Sequence, residues 1–444
     1  LTLSRTTRYP VSAPPSDPRR RVLMLAYYFP PHEAVGSHRP YELYTRLPEF
    51  GWETIMMTAE RDGAPPGVIQ TPDRSWMRRV EEAQQHGFRN PLLKPEVRHG
   101  TGRLKPLIGR LKLWLRIFPP WHDEYTGWSY RLIDRAIAEG RRRNVDLVWA
   151  TCNPFTLAPA ALRIARALGV PCVIDLRDAL PAYLSFPRGI NHWFYRALRR
   201  VDAVVSVAPC CITPETLAAR VDRPIYQIIS GAWRSERVPA RQSHLFRIIH
   251  AGMLYRGQRR PEKLFQAMLA LARELPEFRR DARLRFVGGE TALIARASGY
   301  AEVADMCELL PVTPYREVVE MMAESSILLI INGDNYELVD PLPGKFYDYL
   351  PFAAPVLAYG GAGGALAEVL AWSGSGQWMN SVPEIAAYLR KYYLAWKADG
   401  AVHLPRNPEA LDYLSARRMA AENAELFNAL IEGREPACRP KPPW

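Results

Sequence analysis

At 444 residues, 48% apolar and 23% charged, the chain is too long for one typical core and reads as two or three ordinary globular domains. Its formal charge of +12 asks for a polyanionic partner, yet no helix-turn-helix, RNA-recognition or zinc-finger pattern supports nucleic acid. No run of 18 apolar residues could span a bilayer, and six cysteines without a CxxC spacing favour neither zinc nor a disulfide framework, which fits a reducing cytoplasm. Residues 1–20 are rich in Pro, Ser and Arg, lack an apolar signal core, and read as a disordered tail.

Apolar runs then alternate with helical patterns. Strands are expected at Arg21–Phe29, Trp52–Thr58, Asp146–Ala150, Pro171–Leu176, Ala203–Val207 and Ile225–Ser230, with helices such as Arg39–Phe50 and Thr156–Leu168 between them. Such alternation predicts a parallel sheet covered on both faces. A polar linker, Ala232–Ser243, follows. The pattern restarts with strands at Phe246–Ala251, Arg283–Val287, Ile327–Ile331 and Val356–Tyr359, and helices at Pro261–Leu275, Pro314–Glu324 and Gly344–Leu350. A last helix, Pro408–Glu432, carries Leu411, Leu414, Met419, Leu426 and Leu430 at helical spacing. The chain is therefore α/β, with Rossmann-like domains at 21–235 and 244–400 and a C-terminal helix at 408–433.

Residues 60–144 do not fit this alternation. Within them, Arg103–Trp121 places Leu104, Leu107, Ile108, Leu111, Trp114, Leu115 and Phe118 on one helical face and Lys105, Lys112 and Arg116 opposite. Two readings remain open: a helix lying at an anionic membrane surface, or one packed on its own domain with a solvated basic face.

The stretch Asn335–Pro355, NYELVDPLPGKFYDYLPFAAP, carries the most chemistry. Pro343, Gly344 and Lys345 should open a helix directly after a strand and loop, and a helix start suits a phosphate. Asp340 before the helix and Asp348 one turn inside it can grip hydroxyls of a sugar and a ribose. After the first strand, Gly36 lets the backbone approach a substrate or diphosphate without a Cβ. Open α/β sheets bind ligands at the carboxyl ends of their strands. This loop is not GxGxxG, so a dinucleotide cofactor has little support.

These segments resemble family-4-type glycosyltransferases of the GT-B fold. The Asp340–Asp348 spacing resembles that group's Glu-x7-Glu element, with Asp in both places. Tyr27–Arg39 (YYFPPHEAVGSHR) resembles its opening loop, Trp149–Phe155 (WATCNPF) its Ser-Ser-Pro-Pro loop, and Val173–Leu180 (VIDLRDAL) its Arg-Asp-Pro-Trp element. The resemblance covers about Arg21–Glu432. It implies two facing Rossmann-like domains, with the final helix crossing back to the first. It implies a donor held mainly by the second domain through Gly252, Arg256, Arg259, Arg260 and Lys263, with Asp340, Asp348, Arg256 and Arg260 at the reacting centre. Ser37, Arg39, Asn153, Arg177 and Asp178 would face the acceptor, although Arg177 and Asp178 equally suit a structural ion pair.

The implied reaction moves a hexose from a nucleotide-diphosphate sugar, with retention and without a metal or other cofactor. The acceptor would be a glycan or lipid-linked one in cell-surface polysaccharide or glycolipid synthesis. The enzyme would be cytoplasmic, peripheral on the inner face of the plasma membrane. An epimerase of the same fold and an inactive binding subunit are the alternatives.

Overall fold

The computed structural model describes residues 20–32, 35–75, 78, 123, 125–177, 190–207, 221, 223–232, 237–254, 258–333, 342–361 and 363–437. The described residues form two compact units. The first takes those up to Ser206, those between Glu215 and Ile228, and the final stretch from Ala420; the second takes Val207 and Ile229–Met419. Asp178, Arg256 and Asp340, the amphipathic stretch Arg103–Trp121 and the N-terminal tail through residue 19 lie outside the described residues.

The first unit is built on seven strands: β1 (Arg20–Leu25), β2 (Trp52–Ala59), β3 (Ile69–Thr71), β4 (Leu147–Cys152), β5 (Cys172–Leu176), β6 (Ala203–Ser206) and β7 (Ile225–Gln227). Their order is β3-β2-β1-β4-β5-β6-β7, and every pairing is parallel. Central β4 and β5 are buried along their whole length, which is why they read as largely apolar, interrupted only by Thr151 and Asp175. The helix α1 spans His38–Arg46 and gives way to a 3-10 turn at Leu47–Phe50. This is shorter than the expected Arg39–Phe50, because Pro48 has no N–H to continue the ladder. Strand β1 also stops at Leu25, short of the expected Phe29. Tyr27 and Phe29 stay buried by packing rather than by sheet pairing.

The second unit holds β8 (Phe246–Ala251), β9 (Ala282–Val287), β10 (Cys307–Leu310), β11 (Ile327–Ile331), β12 (Val356–Tyr359) and β13 (Gly376–Met379), ordered β10-β9-β8-β11-β12-β13 and parallel throughout. Alternate residues of β11 enter different cores. Ile327, Leu329 and Ile331 pack with α2 (Glu262–Glu274) and α4 (Val382–Asp399), while Leu328 and Ile330 pack with Phe346, Tyr349 and Leu350. The short helix α3, Gly344–Tyr349, therefore lies on one face of the sheet, directly after β11 and its loop. The polar stretch read as a linker is, where described, tied to this unit. Ala232 N–H donates to Leu414 O (2.7 Å), Val238 N–H to Pro351 O (3.1 Å) and Arg241 N–H to Ala323 O (2.8 Å).

The expected helix Pro408–Glu432 is two helices, Pro408–Tyr413 and α5, Ala416–Glu432. The break follows from the Ala232 hydrogen bond to Leu414 O and from Ser415, whose hydroxyl accepts from Arg418 N–H (3.0 Å) and so caps a new start. From Ala420 onward α5 belongs to the first unit. Phe427 meets Trp52 edge to face at 5.3 Å. Asn428 accepts from Trp52 Nε1 (3.2 Å) and Arg20 (2.8 Å), and Arg20 pairs with Glu432 (3.0 Å). The C-terminal helix thus crosses back to the first domain.

Candidate functional site

In each sheet the connection order reverses beside the first strand, between β1 and β4 and between β8 and β11. Ligands of open α/β sheets bind outside the carboxyl ends of strands at such points. The two switch points are furnished differently.

At the first, the loops after β1, β4 and β5 are stitched together by arginines. Arg177 donates to Gly36 O and, at 3.2 Å, to Asn153 O. A Cβ on Gly36 would lie 2.6 Å from Arg177 Nη1, so a larger residue there would push the guanidinium aside. Arg177 has no described pairing with Asp178, which lies outside the described residues. Arg39, expected at an acceptor surface, is only 2% exposed and forks onto the fully buried Asp175, with Nε and Nη2 at 2.7–3.1 Å from its oxygens. Thr151 Oγ1 donates to the same carboxylate at 3.0 Å. The structure therefore makes Arg39 a buried tie between α1 and β5, because a guanidinium this deep needs a charged partner. Ser37 is buried beside it, and its hydroxyl has no hydrogen-bond partner among the described residues.

Around Tyr27 the same edge carries an aromatic cluster. Tyr27 packs edge-on against Tyr28, Tyr125 and Trp128, donates to Asp73 (2.7 Å), and accepts from Arg61 (3.1 Å). Beneath it Asp123 accepts from Thr156 N–H (2.8 Å) and Thr156 Oγ1 (2.7 Å). Burial pushes its carboxyl up from the ordinary range, against those hydrogen bonds.

At the second switch point, β8 and β11 pair only through Ile248 with Ile327 and Ile249 with Leu328. Past that register the freed Leu329 carbonyl is shared by two side chains, His250 Nδ1 at 3.2 Å and Tyr349 OH at 3.3 Å. Tyr349 OH accepts in turn from Ala251 N–H (3.1 Å). Lys345 Nζ lies 2.9 Å from His250 Nε2, and the Met253 backbone also hydrogen-bonds the ring; the tautomer with its proton on Nδ1 donates to the Leu329 carbonyl and turns the Nε2 lone pair to the lysine. Gly252, at φ +115°, sits against the lysine stem: a Cβ there would lie 2.7 Å from Lys345 Cε. Burial, then the Lys345 and Arg259 charges, hold His250 well below the usual histidine range. Burial and Arg259 likewise hold Lys345 well below the usual lysine range, against the pull of Asp348 and Glu290.

Arg259, Lys345, Asp348 and Glu290 thus share one electrostatic neighbourhood. Arg259 is bridged to Gly333, Tyr315 OH donates to Asp348 (3.0 Å), and the Glu290 carboxylate accepts from Leu254 N–H. A small, shallow cleft beside them is lined by Gly252, Leu254, Phe286, Gly288, Glu290 and Leu310. Met253 and Val312, on the loops after β8 and β10, and Leu293, in the short helical turn after β9, are 50%, 78% and 38% exposed.

Of the other sequence-expected donor residues, Pro343 and Gly344 open α3, which runs only six residues and so carries a short dipole. Arg260 is exposed, and its carbonyl accepts from Tyr359 OH (3.1 Å). Lys263 donates to Asn380 O (3.1 Å), which ties it to the turn before α4. Sequence reasoning missed His250, Asp175, Glu290 and Tyr315. For the first two a signal existed, a titratable residue inside an otherwise apolar strand (RIIHA and CVIDL).

Among the described residues no three His, Cys, Asp or Glu side chains gather as a metal site, and no helix is long and apolar enough to cross a membrane. No protein-family model and no curated protein sequence matches the chain. Solved structures do match. A glycosyltransferase from Rickettsia africae superposes with TM-score 0.55 at 12% identity, over 93% of this chain and 99% of that one. Anabaena HepE, solved with UDP and glucose, gives 0.54 at 12% identity over 93% and 100%. A protein described as a UDP-N-acetylglucosamine 2-epimerase from Listeria monocytogenes gives 0.52 at 13% over 95% and 100%. At these identities the likeness shows the fold: the chain has the two-domain Rossmann-like fold, GT-B, found in glycosyltransferases and in nucleotide-sugar epimerases.

Proposed function

We propose that the chain is a glycosyltransferase of the family-4 type that takes a sugar from a nucleotide-diphosphate donor. The observation that carries this reading is the second switch point, where Lys345, Arg259 and Asp348 meet beside Gly252 at the ends of β8 and β11. Two basic side chains in a partly desolvated site suit a diphosphate, and stabilising the charge that develops on it is the main catalytic requirement of such a transfer. Asp348, and Asp340 by the sequence motif, would hold sugar or ribose hydroxyls. The apolar rim of Met253, Leu293 and Val312 would flank the base.

The same reading makes the enzyme a retaining hexosyltransferase that needs no metal or other cofactor. Its place would be the cytoplasmic face of a membrane, where it would act on a lipid-linked or glycan acceptor in polysaccharide or glycolipid synthesis. The basic amphipathic stretch Arg103–Trp121 supports the membrane part. Because GT-B also serves epimerases, the test must separate the two. A panel of nucleotide-diphosphate sugars is offered with and without lipid extract, and the fate of the sugar is followed by NMR. Transfer or slow hydrolysis, with the donor's anomeric configuration kept, supports the proposal. Conversion of one intact nucleotide sugar into its C2 epimer refutes it.

A further inference from the structure

The deepest part of the second switch point holds a pair that the sequence motif does not explain. Lys345 projects from α3 towards β8, and among the described residues its amine has a single hydrogen-bond partner, the neutral imidazole of His250. In its charged form Lys345 carries three N–H donors, so two are then left that no described residue takes. No described carboxylate pairs with it, although Asp348 and Glu290 are close enough to act on it electrostatically. Burying an amine in this way is costly, and a methionine would fill the same volume without that cost. The fold nevertheless clears room for it, through the missing Cβ of Gly252. It also fixes the acceptor, because the Leu329 carbonyl holds Nδ1–H and so orients Nε2.

We infer that His250 is a positioning residue: its imidazole holds the Lys345 amine where the donor's diphosphate arrives, and it acts on that ligand only through Lys345. The inference rests on the nucleotide-sugar reading above. An arriving diphosphate supplies the negative charge that favours the ammonium form and accepts from two of its N–H groups, while the third stays with Nε2. Burial and the Arg259 charge bias the resting amine towards its uncharged form, so the site waits without strong repulsion between its two bases.

A double-mutant cycle on the full-length protein tests this. The probe is whichever of UDP, GDP, ADP and dTDP binds the wild type most tightly by calorimetry, with the matching nucleoside as control. Lys345→Met should weaken the diphosphate about ten- to a hundred-fold, the loss expected for a charged hydrogen bond, and leave the nucleoside unchanged. His250→Leu, or His250→Asn as the polar alternative should the first not fold, should weaken the diphosphate several-fold. In the Lys345→Met background the same substitution should cost nothing further. His250→Gln, which keeps an acceptor, should restore much of the affinity.

Additive losses, or equal losses for diphosphate and nucleoside, would make His250 a core residue and overturn the inference while leaving the donor reading intact. Wild-type diphosphate affinity in Lys345→Met would do the same. A wild type that binds none of the four diphosphates overturns both.

Discussion

The buried fork between Arg39 and Asp175 decides between two roles for a residue that the sequence motif assigns to the acceptor. Asp175 is fully buried and Arg39 nearly so, and hydrogen bonds from Arg39 and Thr151 satisfy the carboxylate at 2.7–3.1 Å. Breaking such a pair by removing one partner leaves a bare buried charge and costs about 3–5 kcal/mol. A unit of this size shifts its melting point by roughly 2–4 °C per kcal/mol, so Asp175→Asn or Arg39→Met should lower the transition of the first unit by about 6–20 °C. Replacing the whole cluster (Arg39→Met, Asp175→Leu, Thr151→Val) should recover most of that loss, because an apolar set of similar volume has no charge to desolvate. Scanning calorimetry is the assay, since two units need not melt as one. Single variants melting within about 2 °C of wild type would refute the structural role. A triple variant that melts normally but no longer binds acceptor would return Arg39 to the substrate.

Three further outcomes follow from the second unit. Asp348→Ala should cut turnover strongly in a donor-consumption assay without lowering the melting point, whereas Asp348→Glu should be tolerated; Tyr315→Phe, which removes the donor to Asp348, should fall between them. Lys263→Ala should leave nucleoside diphosphate affinity within about two-fold, because its amine is engaged by Asn380 O, while Arg259→Ala should reduce it about ten-fold in the same titration. His250 is held below its unfolded value of about 6.5. The unfolded chain therefore takes up a proton that the native state refuses, and stability falls as the pH drops below 6.5, by at most about 1.4 kcal/mol per pH unit. The melting point of His250→Gln should decline less steeply than that of wild type between pH 7 and 5.

Much of this fold is legible in the residue pattern, and the illegible parts share a cause. Strands such as β11 (ILLII) lie at the centre of a sheet covered on both faces, so they must be apolar throughout and stand out. The elements without a strand signal are edge or near-edge ones: β3 with three residues, β10 (CELL), half-buried along its length, and β13 (GQWM), which begins on a glycine. Half-exposed short strands obey no strict apolar rule. The helix α4 is absent from the sequence expectation: Ser381 and Glu384 form a reciprocal cap with a proline at its start, but its apolar residues are largely aromatic and spread around it. At the sites, the loop glycines and basic clusters can be read from spacing. Their buried partners cannot, because His250 meets Lys345 across 95 positions and Arg39 meets Asp175 across 136.

The two switch points differ in how their charges are settled, and that difference bears on where a polyanion would bind. In the first unit the fixed cations find protein partners: Arg39 has a carboxylate, and Arg177 has the carbonyls of Gly36 and Asn153. Their work is to hold loops, and an incoming phosphate would have to displace bonds already made. In the second unit the described hydrogen bond of Lys345 goes to a neutral ring, and Arg259 stands close enough to disfavour its protonation. A site that keeps two bases together without a carboxylate bonded to the lysine is less stable than it could be, as functional sites often are. Lys345→Met should therefore raise the melting point of the second unit at neutral pH while weakening diphosphate binding about ten- to a hundred-fold. An amine whose folded pKa lies below its unfolded one costs stability at every pH under the unfolded value. A lower melting point in that variant would mean that the lysine stabilises the resting fold and is not held there at a cost for a ligand.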